Sequence, residues 1–152
     1  PKPKVMVMDT SIAAIAGCLQ DSLVSEAESV LAVNLGNGHT MAAIVLKGEI
    51  CGIAEHHTQL LTHTRLERLL REFADGELAD GDVFKEGGHG VALATKPPGF
   101  SKIDVIAVTG PNRHLIEKTG IEAHYVTPVG DMMMTGPMGL IAAAKRKYRR
   151  WR

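Results

Sequence analysis

Three apolar segments follow one another between residues 30 and 55 with only short polar connections, and this run limits the possible folds more than any other feature. The segments cover residues 30–35, 41–46 and 50–55. Short runs of Val, Ile, Leu and Ala bounded by Gly and Asn are typical of β-strands, and connections this short join antiparallel neighbours. The sequence therefore predicts an antiparallel meander of three strands.

Apolar residues at helical spacing follow the third predicted strand. The spacing predicts a helix that Thr62 or Thr64 caps at its start and that ends before Gly76. The apolar positions of this helix are Leu60, Leu61, Leu66, Leu69, Leu70 and Phe73.

Strands and helices alternate over the rest of the chain. Residues 103–108 are predicted to form a buried strand, 113–118 a helix that Gly120 ends, 123–126 a short strand and 131–147 a last helix. The order from residue 30 onward is thus βββαβαβα. This order predicts an α/β fold with a mixed sheet flanked by helices, in which crossover connections add parallel strands to the meander.

The regions before and between these elements are less regular. Residues 5–8 are predicted to form a short apolar strand, 12–19 a helix capped within residues 9–11, and 21–29 a polar connection. Residues 75–102 are rich in Asp, Gly and Pro, which predicts a long loop or insertion with a short helix near 80–84.

Length and composition indicate one domain with a core of its own. A chain of 152 residues buries roughly 70% of the surface that its unfolded form exposes, and no apolar run approaches the roughly 18 residues of a transmembrane helix. Two distant cysteines fit no redox or zinc motif and are typical of a reducing compartment. We therefore expect residues 1–152 to form a single cytoplasmic domain that does not contact a membrane.

The net charge of zero conceals a basic C-terminal tail at residues 145–152. Six of the 17 Lys and Arg residues fall in these eight positions, whereas all 17 carboxylates precede them. Basic residues after a helix complement the negative end of its dipole and can dock on an acidic surface of the same polypeptide. Although Tyr148 and Trp151 interleave with them, we do not expect nucleic acid as a partner, and the sequence leaves the oligomeric state open.

The connection between the first two predicted strands allows two interpretations. It is either an ordinary hairpin turn, in which Gly and Asn adopt positive φ angles, or a concave nest of backbone N–H groups for an anionic oxygen, with a Thr hydroxyl as an added donor. The candidate phosphate-binding residues are Asn34, Gly36, Asn37, Gly38, His39 and Thr40.

This element order, with Val-Thr-Gly-Pro after the fourth strand, resembles the superfamily of actin, sugar kinases and heat-shock chaperone ATPases. More narrowly, the motifs at residues 7–13, 34–40, 55–58, 87–90 and 130–136 are similar to those of a prokaryotic family of unknown function, whose members are often labelled pyruvate formate-lyase activating enzymes. The resemblance covers essentially the whole chain. It implies an RNase-H-like fold and the second of two domains that face each other across a nucleotide cleft.

The resemblance also implies that residues 34–40 correspond to the second phosphate loop of that superfamily, which has the pattern Asp-x-Gly-x-x-Thr. Two departures affect what the loop can do. Asn34 stands where the superfamily has the acid, and one more residue separates Gly36 from Thr40. An Asn holds Mg²⁺-bound water less firmly than a carboxylate, which also compensates the charge of the metal. The pattern therefore favours phosphate binding over hydrolysis.

Two further stretches are implied to approach the adenosine. Residues 110–113 follow a buried strand, where a Gly lets a flat base approach the backbone and the next side chains hydrogen-bond or stack on it; the alternative is an ordinary strand-to-helix turn. Residues 130–131 resemble the start of the superfamily's final helix, although their acid is equally suited to be only a helix cap. The candidate residues are Gly110, Pro111, Asn112, Arg113, Gly130 and Asp131.

Histidines form a second group of candidates. Imidazoles at His56, His57, His63 and His89, with the carboxylate of Glu55, offer ligands for zinc or iron. His56 and His57 point to opposite faces of an extended strand, however, so they cannot hold one ion together without a bend. We therefore assign no metal site and favour histidines that form hydrogen bonds at a strand end or line the cleft. Glu55 and His56 are the candidates for a general base or a water-positioning group, because they end a central strand.

The activating-enzyme label conflicts with the cysteine count. Radical activation by S-adenosylmethionine needs an iron–sulfur cluster held by at least three closely spaced thiolates. The chain has only Cys18 and Cys51. We therefore do not expect this chain by itself to be a radical activating enzyme.

The expected function is ATP binding by one half of a two-domain ATPase or kinase of unknown substrate. Phosphate would rest on residues 36–40 and adenosine near 110–113, and Mg²⁺ would be shared mainly with a missing N-terminal domain of the same polypeptide. The lack of an initiating Met agrees weakly with such an upstream domain. The alternatives are a non-catalytic scaffold or binding module with a degenerate phosphate loop, and a histidine-ligated metal enzyme.

Overall fold

The computed structural model describes residues 5–148, which form a mixed sheet with helices packed on it. The strands are β1 (Ser29–Leu35), β2 (His39–Leu46), β3 (Glu49–His57), β4 (Gly90–Leu93), β5 (Val105–Thr109) and β6 (His124–Tyr125). The helices are α1 (Thr10–Cys18), α2 (Ser22–Glu26), α3 (His63–Asp75), α4 (Asp80–Lys85) and α5 (Thr135–Tyr148). Short 3₁₀ turns lie at Thr58–Leu60, Phe100–Lys102, Arg113–Lys118, Pro128–Gly130 and Met132–Met134. The prediction of an α/β fold with a mixed sheet is confirmed.

The sheet has the strand order β4-β3-β2-β1-β5-β6. β1 to β4 pair antiparallel in sequence order, whereas β5 is parallel to β1 and β6 is parallel to β5. This confirms the predicted meander and its parallel extension. The C-terminal ends of β1, β3 and β5 and the N-terminal ends of β2 and β4 consequently meet at one edge of the sheet.

Alternating side chains of the central strands build two cores, one on each face of the sheet. Leu31 and Val33 belong to a cluster with Phe73 of α3, while Val30 and Ala32 belong to a second cluster with Ile15 of α1. Both faces of a central strand are therefore buried, which explains why β1 is a nearly continuous apolar run rather than an alternating one.

The helix after the meander lies where the sequence predicts it. Of the two predicted caps, Thr62 is the one that caps α3, because its hydroxyl oxygen accepts a hydrogen bond from Arg65 N–H at 3.3 Å. Gly76 ends the helix with a φ of 77°, the left-handed conformation that favours glycine at this position. Its buried residues are Leu66, Leu69, Leu70, Phe73 and Ala74.

The N-terminal region differs from the prediction. Residues 5–8 are not a strand, and the side chains of Val5 and Val7 are 74% and 87% exposed. An apolar run becomes a strand only where another strand pairs with it, and in residues 5–148 none does so here. Asp9 caps α1 by accepting from the backbone N–H groups of Ser11 and Ile12. The predicted connection at 21–29 contains the short helix α2.

The long loop predicted at 75–102 holds more regular structure than expected. The short helix near 80–84 is confirmed as α4. Strand β4 was not predicted from the sequence, and its register places Gly90 opposite Glu55 and Leu93 opposite Gly52. With four residues and a Gly at its start, β4 carries too short a pattern to recognise, and its pairing with β3 defines it instead.

Two predicted helices near the C-terminus also differ. Residues 113–118 form a 3₁₀ turn instead of an α-helix. The last α-helix begins at Thr135 and not at residue 131, because Gly130 has a φ of 84° and Asp131 is extended. The carboxylate of Asp131 caps only the 3₁₀ turn of residues 132–134, by accepting from Met133 N–H at 2.9 Å.

The basic tail is described only in part. Lys145, Arg146 and Lys147 lie in the last turn of α5, as expected for cations at the negative end of a helix dipole. Arg146 also lies 3.2 Å from a carboxylate oxygen of Glu49 at the β2–β3 turn. The rest of the predicted tail, residues 149–152, lies outside the described residues. No helix within 5–148 is long and apolar enough to cross a membrane.

The start of β1 depends on the carboxylate of Asp104, which accepts hydrogen bonds from the backbone N–H groups of Ser29 at 2.8 Å and Glu28 at 3.1 Å. These bonds lower the pKa of Asp104 in the folded chain, and the bond from Ser29 N–H has the largest effect. The carboxylate therefore stabilises the fold fully above its unfolded pKa, and this contribution is lost as the pH falls through the lower folded value.

We expect Asp104→Asn to reduce the stability of the chain at pH 6 and to reduce it much less at pH 3. Urea unfolding of the wild type and the variant at several pH values measures this. Asp82→Asn is the control, because Asp82 is exposed and its described side-chain contact is with Lys85 of the same helix. An Asp104→Asn effect that stays constant between pH 3 and pH 6 would contradict the assignment.

Candidate functional site

The turn between β1 and β2 is closed by an internal hydrogen bond. Gly36 N–H donates to the carbonyl oxygen of His39 at 3.1 Å, and a Cβ atom at residue 36 would lie 2.6 Å from that oxygen. Gly38 faces open space, since no atom lies within 4 Å of its Cβ position. Within residues 5–148, the N–H groups of Asn37 and Gly38 donate no described hydrogen bond. The turn therefore offers two free amides instead of the larger nest that the sequence predicts.

The loop after β5 is joined to this turn through Asn112. Its side-chain amide nitrogen donates to the Gly36 carbonyl oxygen at 2.9 Å and lies 3.3 Å from Oδ1 of Asn37. Its backbone N–H donates to the Leu35 carbonyl oxygen at 2.9 Å. The two stretches that the sequence analysis assigned to phosphate and to adenosine, 76 residues apart in the chain, thus form one surface at the end of β1.

Close backbone approach makes this junction possible. Gly110 has a φ of 99°, and a Cβ atom there would lie 2.4 Å from the Leu35 carbonyl oxygen and 2.8 Å from Oδ1 of Asn34. Only glycine fits both the conformation and the contact. Gly110 and the half-buried Asn34 are therefore brought together, as neighbours in the packing between β1 and the loop after β5.

Arg113 carries an unsatisfied donor in the same loop. The Nη1 atom of its guanidinium is buried and has no hydrogen-bond partner in the described part of the chain. The guanidinium carbon lies 5.9 Å from the ring centre of Tyr125. A buried donor without a partner is costly, so a ligand with an acceptor oxygen or nitrogen would gain from meeting it.

Two buried pairs of Thr hydroxyls hold strand ends in place. Thr40 lies 2.9 Å from Thr58, and Thr109 donates to Thr135 at 3.0 Å. Thr40 is only 1% exposed, so its hydroxyl, a predicted phosphate donor, already has an internal partner. Thr135 fixes the start of α5 beside β5, whereas the described hydrogen bonds of Gly130 and Asp131 stay within their own turns.

Three histidines come together at the same edge of the sheet. His39 begins β2 and lies directly opposite His57 at the end of β3. Because Thr58 N–H donates to the Gly38 carbonyl oxygen one step further along, this is a non-hydrogen-bonded pair, in which opposing side chains are closest. His89 completes the group from the loop before β4, held by its N–H bond to the Glu55 carbonyl oxygen at 2.9 Å.

The imidazoles of this histidine cluster are in ring contact. The ring centres lie 4.9 Å apart for His39 and His57, 4.9 Å for His39 and His89, and 4.5 Å for His57 and His89. One ligating nitrogen from each ring lies within 4.8 Å of the other two. Partial burial is the largest cause that lowers the pKa of His57. The positive charges that His89 and His39 can carry lower this pKa further. The neutral form that can ligate a metal is thereby favoured at neutral pH.

Glu55 and His56 lie on opposite faces of β3. Successive strand residues alternate, so Glu55 shares its face with His57, and its carboxylate partly opposes the lowering of the His57 pKa. His56 is 1% exposed. Its Nδ1 bonds the His57 carbonyl oxygen at 3.1 Å, while its buried Nε2 has no partner in residues 5–148. The predicted separation of His56 and His57 is confirmed, and only His57 reaches the histidine cluster.

The sequence placed His57 and His89 among the candidate ligands of one metal site, and it placed His39 only in the turn between the first two strands. His63, the remaining candidate, bonds the Leu115 carbonyl oxygen at 3.0 Å instead. The short turn between β2 and β3 indicates that His39 lies near the end of β3, but it does not by itself select His57 as the partner.

Comparison with known proteins gives one family. The model of the family described as "Putative pyruvate format-lyase activating enzyme (DUF1786)" matches residues 1–115 of the 152-residue chain. This confirms the narrower of the two resemblances. No curated protein matches the chain.

The two thiols do not fit the cluster that this description implies. Cys18 and Cys51 are buried in the two separate cores, on opposite faces of the sheet. Burial is the main cause that raises the pKa of the Cys18 thiol to about 12, and the negative charge of Asp21 adds to the rise. Cys18 is therefore not a thiolate at neutral pH. Two separated thiols cannot supply the ligand set of an iron–sulfur cluster from this chain.

Proposed function

This chain belongs to the DUF1786 family, and we propose that it serves there as the nucleotide-binding half of an actin-like ATPase or kinase with an RNase-H-like fold. The strand directions agree with this proposal, since three antiparallel strands are followed by two parallel ones beside β1. ATP with Mg²⁺ is the proposed ligand, and a first domain of the same polypeptide is the proposed partner.

The observation that carries the proposal is the junction of the two predicted loops through Asn112. Loops from distant parts of the chain converge where an open α/β sheet binds ligands, outside the C-terminal ends of its parallel strands. The free amides of Asn37 and Gly38 would bind phosphate oxygen. The Nη1 atom of Arg113, which has no partner among residues 5–148, would donate to the nucleotide.

Catalysis in such a domain is positioning and charge neutralisation. A bound Mg²⁺ would supply positive charge that neutralises the phosphate groups. Asn34 supplies only an amide oxygen at the end of β1, so most of the Mg²⁺ ligation would come from the partner domain. On this chain the residues at the end of β1 and after β5 bind and orient the nucleotide, and they do not provide a nucleophile.

We expect the full polypeptide to bind MgATP with a Kd of the order of 1 mM or tighter, and Gly38→Ala and Arg113→Met to weaken that binding at least about tenfold. Arg113→Met removes about one hydrogen bond to a charged group, whereas Gly38→Ala keeps its backbone N–H and acts through the added methyl group. Gly38→Ala adds its methyl group in open space, so the fold tolerates it while the anion position is obstructed. Titration calorimetry measures the affinities.

Gly81→Ala and Lys96→Met are the matched controls. Gly81 also faces open space, and Lys96 is an exposed cation on the stretch after β4. Both should bind MgATP as the wild type does. If the full polypeptide gives no saturable binding, or if the site variants bind like the controls, the proposal is wrong.

A non-catalytic binding module is the second candidate. The internal hydrogen bonds of Gly36 N–H and of the Thr40 hydroxyl favour this second function, because neither group is then available to bind phosphate. It predicts a folded chain that binds no MgATP, so the same titration separates the two functions.

A further inference from the structure

We propose that His39, His57 and His89 bind a Zn²⁺ ion. Three imidazoles are the ligand set of a common class of zinc site, in which three protein nitrogens leave the fourth tetrahedral position to water or substrate. The histidine cluster brings such nitrogens together from three separate segments, the start of β2, the end of β3 and the loop before β4.

The distances between the ligating nitrogens suit a site whose side chains move closer together when the metal binds. Zn–N bonds of about 2.0–2.1 Å at tetrahedral angles place the ligating nitrogens about 3.3 Å apart. The nitrogens of the cluster lie within 4.8 Å of one another. His39 and His89 are exposed and His57 is half-buried, so these side chains have room to rotate toward the tetrahedral spacing.

Hydrogen bonding distinguishes these rings from the histidines that serve the fold. His56, His63 and His124 each have a described partner for a ring nitrogen, namely the His57 carbonyl, the Leu115 carbonyl and the Asp21 carboxylate. None of the three cluster rings has one within residues 5–148. Their nitrogens are therefore available to a metal, whereas packing alone does not require three imidazoles at one exposed edge.

The surrounding charges also favour a cation. A cavity of about 210 Å³ beside the cluster is lined by His89 and by the acidic residues Glu55 and Asp80. Glu55 lies on the face of β3 that carries His57. Three neutral imidazoles leave the charge of a bound Zn²⁺ uncompensated, and nearby carboxylates lower that cost. Glu55 thus has a role on this edge different from the general base that the sequence analysis considered.

This site is distinct from the Mg²⁺ of the proposed nucleotide site. Mg²⁺ prefers oxygen ligands and usually keeps several waters, whereas imidazole nitrogens favour Zn²⁺ and its neighbours in the first transition series. The zinc proposal does not depend on nucleotide binding, and each can fail without the other.

The test is a zinc titration of the chelator-treated full chain in competition with a chromophoric chelator, without nucleotide. We expect close to one Zn²⁺ per chain with a Kd of the order of 1 μM or tighter. His39→Ala and His89→Ala should each weaken binding by about 100-fold or more, beyond the 10–100-fold loss on mutating a residue that only supports a ligand. Both positions are exposed, so the variants should fold.

His114→Ala is the matched control, since His114 is exposed and is not in the cluster. It should bind zinc within about twofold of the wild type. As a second measurement, zinc should slow hydrogen exchange at His89 N–H, which bonds Glu55 across the strands, and should not do so in His39→Ala. Less than a tenth of an ion per chain in the wild type, or His39→Ala and His89→Ala binding like the control, would overturn the proposal.

Discussion

Gly139→Ala is expected to destabilise the chain by about 3 kcal/mol, because it places a methyl group inside the contact between α1 and α5. The new Cβ would lie 1.9 Å from the Ala13 carbonyl oxygen and 2.6 Å from the nitrogen of Gly17. Both are backbone atoms, so no side-chain rotation relieves the overlap and the helices must separate. Overpacking of this kind costs 1–3 kcal/mol and occasionally more.

Urea unfolding of Gly139→Ala beside Gly81→Ala measures the effect. Gly81 is the second residue of α4 and has no atom near its Cβ position, so the same substitution there should be neutral or stabilise by up to about 1 kcal/mol. Equal stabilities of the two variants would mean that α1 and α5 are not packed as closely as described.

The packing of these two helices has a consequence for the candidate site. A Cβ atom at Gly17 would lie 1.8 Å from the carbonyl oxygen of Thr135. The hydroxyl of Thr135 in turn accepts from Thr109 at the end of β5. The close helix contact thus sets the position of the first turn of α5 relative to the loop that follows β5. Separation of α1 from α5 should therefore disturb that loop as well as the stability.

Local patterns were sufficient to predict the three-stranded meander and the long helix. The three apolar segments with short turns define β1 to β3, and the spacing of the leucines with Thr62 and Gly76 defines α3. Residues 5–8 show the limit of such patterns. They have the composition of a strand, but no strand among the described residues pairs with them.

The histidine cluster could not be predicted from the turn alone because of a bulge in β3. The turn pairs Leu46 with Glu49 and Val45 with Ile50, a register that would place His39 opposite His56 if it continued. The pairing shifts between Ile44 and Val45, where Ile44 lies opposite Gly52. One extra residue in β3 exchanges the two faces of the strand. His57 and not His56 therefore meets His39.

Long-range contacts explain why the candidate nucleotide surface was only partly predictable. The sequence indicated that residues 36–40 and 110–113 belong to one site, through a resemblance. It gave no sign that Asn112 would bond the Gly36 carbonyl oxygen, nor that Gly36 N–H and the Thr40 hydroxyl would be used within the fold. Such bonds depend on how separate segments pack, and no local pattern specifies them.

Gly110→Ala should destabilise the chain by about 2 kcal/mol more than Gly130→Ala does. Both glycines have positive φ angles, 99° and 84°, so both variants bear a conformational cost of roughly 1–2 kcal/mol. Only at Gly110 would the new Cβ also overlap backbone, at 2.4 Å from the Leu35 carbonyl oxygen. The difference between the two variants therefore isolates the close approach that joins the loop after β5 to β1.

The same pair of variants shows whether the close contact between Gly110 and Leu35 positions Asn112. If it does, Gly110→Ala should shift the amide resonances of Asn112 and of Asn37 and should weaken MgATP binding, whereas Gly130→Ala should leave both unchanged. Equal unfolding free energies for the two variants would contradict the close contact with Leu35. A destabilised Gly110→Ala chain whose Asn112 resonances do not move would show that the hydrogen bonds of Asn112, and not the glycine, hold the two loops together.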